Sequence, residues 1–157
     1  MPKPLDPAQL LELLRKHAAG AVPRGAADES LKRVYHRMVE ILGTARTAEH
    51  YREFERDLEA RLVRIERLEG TGDFIGLARE AHDFSSTAGN LGYSDLADLG
   101  RTIEGHCRTG DTGGARRRVR SLAAAAAAAK RALAAVLDRS GGSGQPAQPH
   151  ESPPKRP

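Results

Sequence analysis

Apolar residues recur at three- and four-residue steps along most of this chain, and short glycine-containing turns separate the segments that show the pattern. This spacing is typical of amphipathic helices that bury one stripe against a core. The composition agrees, because the 157 residues are rich in Ala, Leu, Arg and Glu, include no Trp and only three Phe, and contain few β-branched runs. The sequence therefore predicts an all-α fold in one small domain.

The N-terminal part, residues 1–46, is predicted to be a short helical extension. Asp6-Pro7 is a good helix start, and a helix is expected over 7–18 with Leu10, Leu11 and Leu14 on one side. Residues 20–25 include Pro23 and end that helix. A second helix is expected next, capped by Asp28 or Ser30 and closed by Gly43. Five of its residues are expected to face the core: Leu31, Val34, Met38, Ile41 and Leu42.

Residues 47–139 are predicted to form four longer helices. The first opens at Thr47 and runs to Glu69, and the second is capped by Asp73 and closes between Gly89 and Gly92. The third is capped by Ser94 and closed by Gly110, and the fourth begins at Asp111 or Thr112. Because short turns join long amphipathic helices, we expect an antiparallel up-down four-helix bundle. Residues 140–157 carry Gly, Ser, Gln and Pro without core-forming residues, and are predicted to be a disordered tail.

Cysteine usage and the N-terminus limit the compartment and the chemistry. Cys107 is the single cysteine, so no internal disulfide can form, and no Cys–His spacing suggests zinc. Residues 1–6 contain two prolines, and no stretch approaches the ~20 apolar residues of a membrane span. We therefore expect a cytoplasmic protein with no membrane partner and no metal site. The net charge of +4 fits an acidic protein surface or weak nucleic-acid binding.

The stretch from Ala81 to Gly92 places one imidazole on a helix face of small residues. On a helical wheel, His82 lies about 120° from the middle of the apolar stripe and should point to solvent. That stripe contains Leu77, Ala78, Ala81, Phe84, Ala88 and Leu91. Arg79 lies one turn before His82, Ser86 one turn after, and Gly89 a further turn on. Because little side-chain bulk follows His82 on its own face, a partner could approach the ring closely.

The string His82-Asp83-Phe84-Ser85-Ser86-Thr87-Ala88-Gly89-Asn90-Leu91-Gly92 resembles the motif of histidine phosphotransfer (HPt) domains of two-component phosphorelays. That motif reads approximately His-x-Leu-Lys-Gly-Ser-x-x-x-Leu/Phe-Gly. The resemblance covers roughly residues 48 to 138, with Gly72-Asp73, Leu96, Leu99 and Glu104 at familiar spacing. The chain departs from the motif twice, with Ser85 where the family usually has lysine and Ser86 where it usually has glycine.

The resemblance implies a phosphorelay intermediate in which His82 is the phospho-accepting nucleophile. It would take the phosphoryl group from a receiver-domain aspartate and pass it to another response regulator, with receiver domains and a hybrid sensor histidine kinase as partners. Imidazole is suited to this role near neutral pH, and phosphoryl transfer depends mainly on positioning and charge neutralisation. The protein would be a covalent phosphocarrier without kinase activity or a cofactor. Arg79, Ser85, Ser86 and Gly89 are predicted to face the phosphate or the partner, with Arg79 offsetting charge and the two hydroxyls donating hydrogen bonds.

Two other functions remain open from the residues. The same surface could be a non-transferring docking module that binds and sequesters a receiver or kinase. Alternatively, Arg116-Arg117-Arg118 with Arg120 forms a basic patch that could bind nucleic acid. Nucleic acid is the least favoured partner, because the sequence has no recognisable DNA-binding motif and few aromatic residues for base stacking.

Overall fold

A computed structural model describes residues 24–141, which form five helices and no strand. The helices are α1 (Arg24–Leu42), α2 (Thr44–Thr71), α3 (Phe74–Asn90), α4 (Ser94–Thr109) and α5 (Thr112–Gly141). The all-α prediction is confirmed for these residues. The predicted helix over 7–18 and positions 142–157 of the predicted tail lie outside the described residues. The first two positions assigned to that tail, 140 and 141, instead belong to α5.

The turns around α3 and α4 follow the capping signals in the sequence. Gly72 and Gly110 end α2 and α4 in the left-handed conformation, at φ 74° and 76°, which glycine adopts without a steric penalty. Asp73 caps α3, its Oδ1 accepting a hydrogen bond from the Gly76 N–H at 2.8 Å. Asp111 caps α5 in the same way through the Gly114 N–H.

Three predicted helix starts are wrong. Helix α1 begins at Arg24, so Asp28 and Ser30 lie inside it and neither is its N-cap. Helix α2 begins at Thr44, so Thr47 is a buried residue of its first turn. Ser94 is the first residue of α4, but the N-cap position is Tyr93 and no side chain caps it. At α2 and α4 the chain enters the helix directly from a short turn.

Helix α1 packs over the turn that joins α3 to α4. Gly92 in this turn has φ 85°, and a Cβ there would lie 2.9 Å from the Ser30 carbonyl oxygen, so only glycine fits. Leu31 is buried as predicted, and Tyr35 is buried as well. The prediction that Ile41 and Leu42 face inward is wrong, because they are 73% and 42% exposed in the last turn of α1.

Aromatic side chains fill the core beneath α1. Four rings form what we call the aromatic cluster, with neighbouring ring centroids 5.0–6.0 Å apart: Tyr35, Tyr51, Phe54 and Tyr93. The Tyr51 hydroxyl donates a hydrogen bond to the Leu91 carbonyl oxygen at 2.8 Å, while the buried Tyr93 hydroxyl has no partner among residues 24–141. The cluster therefore joins α1 and α2 to the α3–α4 turn.

The rest of the core is mainly aliphatic. The predicted stripe of α3 is buried apart from Ala78, which is half-buried. On α5 the large or aliphatic residues that face the core recur at helical spacing: Val119, Leu122, Ala126, Leu133 and Val136. None of the five described helices has an apolar stretch long enough to cross a membrane.

Candidate functional site

Small residues bring α3 and α4 into close contact. A Cβ on Gly100 would lie 2.9 Å from the Cβ of Ser85 and 3.0 Å from the Ala81 carbonyl oxygen, so α4 passes directly against the α3 backbone. Further along, a Cβ on Gly89 would lie 3.6 Å from the Cβ of Ala97. Residues later in α3 contact residues earlier in α4, so the two helices are antiparallel. These contacts fix the register of the hairpin.

The same register brings His82 and Glu104 together across the two helices. The His82 Nδ1 lies 3.2 Å from Glu104 Oε2, although the residues are 22 positions apart in sequence. The His82 side chain is 60% exposed, whereas that of Glu104 is 13% exposed. A largely buried carboxylate therefore contacts one nitrogen of an exposed imidazole ring.

Glu104 is shared between the ring and a cation. Its other oxygen, Oε1, lies 2.7 Å from Nη2 of Arg108, one turn further along α4. This ion pair joins neighbouring turns of one helix, at the (i, i+4) spacing that favours such pairs. Arg108 therefore stabilises the carboxylate in the position from which it contacts His82.

The contact decides which ring nitrogen can act as a nucleophile. An ionised carboxylate only accepts hydrogen bonds, so a neutral ring beside it carries its proton on Nδ1. Nε2 then holds the lone pair, and it has no hydrogen-bond partner among residues 24–141. In that tautomer the exposed ring presents Nε2, with its lone pair free, to solvent.

The prediction that Ser85 faces a partner is wrong. Its side chain is 4% exposed and lies against Gly100 of α4. The Ser85 hydroxyl donates to the His82 carbonyl oxygen at 2.8 Å, and the exposed Ser86 hydroxyl donates to the same oxygen at 3.1 Å. Both hydroxyls therefore stabilise the backbone that carries His82.

Arg79 and Gly89 lie where the helical wheel places them. Arg79 is exposed one turn before His82, and its guanidinium takes part in no ion pair within the described part of the chain. Gly89 is exposed beyond Ser86, and its carbonyl oxygen accepts the Gly92 N–H at 3.1 Å at the end of α3. Exposed positions at helical spacing thus run along both sides of His82.

The other candidate residues take part in helix turns and in packing. His106 Nδ1 lies 2.9 Å from Asp111 Oδ2, beside the cap of α5. The hydrogen bond from the Gly114 backbone N–H lowers the pKa of Asp111 below its ordinary value, and His106 lowers it further by a smaller amount.

Arg116, from the predicted basic patch, pairs with Glu69 at 3.1 Å and lies over the Phe74 ring. Within residues 24–141, no three His, Cys, Asp or Glu side chains are grouped to hold a metal ion.

The sequence did not reveal the roles of Glu104 and Arg108. Glu104 lies at a spacing from the motif that is familiar from the HPt family, but nothing in the order of residues along the chain pairs it with His82. The available signal was its position beside the inward-facing Ile103, which places it at the edge of the buried stripe of α4. The contact with the ring depends on the register of α3 against α4.

Residues 49–139 match the family model described as the Hpt domain. The match spans more than half of the chain and includes all of α3 and α4, while α1 lies before it. No curated protein and no solved structure gives a significant match.

Proposed function

We propose, since this chain belongs to the Hpt domain family, that it is a phosphorelay intermediate which accepts a phosphoryl group on His82 and passes it to a response regulator. Hpt domains are phosphocarriers that interact with receiver domains and kinases in phosphorelays. The observation that carries the proposal for this chain is the exposed His82 ring held through Nδ1 by Glu104. In this proposal the donor is an aspartyl phosphate of a receiver domain.

The proposed transfer uses Nε2 of His82. Its lone pair attacks the phosphorus in line with the bond to the aspartyl oxygen, a P–N bond forms, and the P–O bond breaks with its electron pair on the aspartate. The Nδ1 proton stays hydrogen-bonded to Glu104, whose negative charge stabilises the positive charge that develops on the ring. In the second transfer, a carboxylate oxygen of the acceptor regulator attacks the phosphorus and the pair of the P–N bond returns to Nε2.

Cations near the ring would offset the charge of the phosphoryl group. Because position 85 is serine where the family usually has lysine, a cation beside the phosphoryl group must come from another residue. Arg79 projects from the same face of α3 as His82. Arg108 forms an ion pair with Glu104, the carboxylate that contacts the ring. We assign both this role, and Gly89 is the position that lets the partner approach. The Ser86 hydroxyl becomes a further donor when its single proton turns from the His82 carbonyl oxygen to the phosphate.

We also infer that α2 to α5 form the antiparallel up-down four-helix bundle expected from the sequence. The interhelical contacts support it, since Arg64 and Glu80 pair at 3.2 Å across α2 and α3, and Glu69 and Arg116 pair across α2 and α5. In this proposal the chain before α2 is an N-terminal extension of the bundle, which is three residues shorter than the predicted 1–46 because α2 begins at Thr44. The relay partners are receiver domains and a hybrid sensor kinase, in the reducing cytoplasm that suits the single thiol of Cys107.

The transfer is tested by incubating the protein with a receiver domain labelled on its aspartate. We expect an acid-labile, base-stable label on the protein, and we expect His82→Gln to lose it. His106→Gln is the matched control, because His106 also pairs with a carboxylate but lies at a helix turn, and it should keep the label. Absence of label on the wild type, with binding of the receiver retained, would instead identify a docking module.

The role of Glu104 is tested separately. Glu104→Ala should slow transfer by about tenfold or more, since misplacing a reacting group by ~1 Å can cost about a hundredfold. The imidazole ¹⁵N chemical shifts of His82 should change from one tautomer to a mixture. Glu80→Ala is the control, because Glu80 is equally enclosed, at 13% exposure, but pairs with arginines of α2. Equal effects of the two substitutions on the His82 shifts would contradict the assignment.

A further inference from the structure

A groove of about 610 Å³ lies between α1, the start of α4 and the alanine-rich part of α5. Leu31 and Leu96, both 1% exposed, lie along it. Its α5 side is formed by six alanines between Ala124 and Ala135, several of them exposed, together with Arg131. None of the residues around His82 lines it, so it is separate from the proposed transfer site.

The lining fits an apolar helix better than a small molecule. Ligand pockets are usually lined by hydrophobic and aromatic side chains with a few convergent polar groups, whereas the α5 side of this groove carries six alanines beside the single charged residue Arg131. Methyl side chains give α5 a low surface that another helix can approach closely. The α5 stretch along the groove is about 17 Å long, at 1.5 Å of rise per residue.

We propose that residues 7–18 of this chain dock in the groove as an amphipathic helix. These residues carry the leucine stripe of Leu10, Leu11 and Leu14, and twelve helical residues span about 18 Å, which matches the groove. The connection is also short, because α1 begins at Arg24 and Ala27 already lines the groove. The segment is therefore held close to the surface that it covers.

Charge supports the same occupant. Asp28 and Asp95 both line the groove. The pKa of Asp95 is raised, mainly by burial and to a smaller extent by the negative charges of Asp98 and Asp28. Among the described residues, Arg131 is the one cation in the groove lining, and it is not among the charges that set the pKa of Asp95. A further cation would relieve this repulsion, and the segment carries Arg15 and Lys16 beside its leucines. Residues 142–157 are a poorer fit, because they contain no Leu, Ile, Val, Met or aromatic residue.

The proposal is tested by cross-linking the full chain in a Cys107→Ser background, which removes the native thiol. Leu14→Cys with Ala128→Cys places one thiol on the leucine stripe and one in the groove. The control combines Leu14→Cys with Ala134→Cys, because Ala134 is exposed on the same helix but does not line the groove. With a short bifunctional maleimide, we expect the first pair to link within one molecule at least about tenfold faster, the factor that corresponds to ~1.4 kcal/mol.

Equal rates for the two pairs would overturn the proposal, as would links that form only between molecules, which would identify a second copy as the occupant. A second measurement does not depend on the geometry of the link. Leu14→Asp should lower the midpoint of thermal unfolding by about 4 °C or more, whereas Gln9→Asp, on the other side of the wheel, should leave it nearly unchanged. Equal shifts for both variants would also overturn the proposal.

Discussion

The region around His82 and the aromatic cluster are built in opposite ways. Between α3 and α4, Gly100 lies against Ser85 and Gly89 against Ala97, so the backbones themselves come close. Beneath α1, large rings fill the space, and Tyr51 is tied to the α3–α4 turn by the hydrogen bond to Leu91. The first region holds two helices in a fixed register, and the second contains four of the five aromatic rings that are buried within residues 24–141.

The difference indicates what each region contributes. Large rings bury much apolar area and dominate the energetics of a core. Small residues bury less area, but they tolerate no added atoms at a close approach, so they specify a register. Stability and the geometry of the site should therefore respond to different substitutions.

The largest effect is expected where a side chain is added between α3 and α4. Gly100→Val should lower the free energy of unfolding by about 3 kcal/mol, because its Cβ meets Ser85 and its branches add further overlap. Gly105→Val on the same helix is the control, since a Cβ there has open space, and it should stay within about 0.5 kcal/mol of wild type. Denaturant titration measures both. A small effect of Gly100→Val would mean that the register is not set by close packing.

The next effect separates two tyrosines of the aromatic cluster. Tyr51→Phe should lower the free energy of unfolding by about 1–3 kcal/mol, because the buried Leu91 carbonyl loses its donor. Tyr93→Phe should be neutral or slightly stabilising, because its buried hydroxyl has no partner in the described residues. Similar losses for both variants would show that the cluster depends on ring packing alone.

A smaller change at Gly89 tests the exposed side of the His82 region. Gly89→Ala should raise the free energy of unfolding by about 0.5–1 kcal/mol, because alanine favours the helix and the new Cβ makes an ordinary contact with Ala97. The same methyl group should slow phosphotransfer from a receiver by a few-fold. This corresponds to a steric cost in the complex below ~1.4 kcal/mol, the free energy that would slow transfer tenfold. If transfer is unchanged, the partner does not approach Gly89.

The smallest effect is expected at the α4–α5 turn, which depends on charge and not on packing. The Gly114 N–H and His106 hold the pKa of Asp111 below its unfolded value of about 3.9. The stabilisation is therefore complete above that value and is lost as the pH falls through the lower folded pKa. The difference in thermal midpoint between wild type and Asp111→Ala should be largest near pH 6 and shrink towards pH 3. A difference that does not change with pH would mean that the carboxylate charge does not contribute.

Hydrophobic periodicity was sufficient to predict the helices, the buried stripe of α3 and the outward direction of His82. It was insufficient for Glu104, because the contact with His82 depends on how α3 and α4 align, and glycine and alanine leave no periodic signal of that alignment. Ile41 and Leu42 continue the apolar pattern of α1 after the core has ended. Ser85 follows Ala81 by four residues, so its spacing already indicated a buried position, and the partner-facing prediction followed the family motif instead.

The hairpin of α3 and α4 also has a consequence for how the protein folds. His82 and Glu104 are separated by only 22 residues, so the loop that must close to bring them together is short and its entropic cost is small. Local contacts of this kind tend to form early. The chain can therefore bring His82 and Glu104 together before the distant aromatic contacts of α1 and α2 form, and φ-values near Gly100 should exceed those of Tyr35.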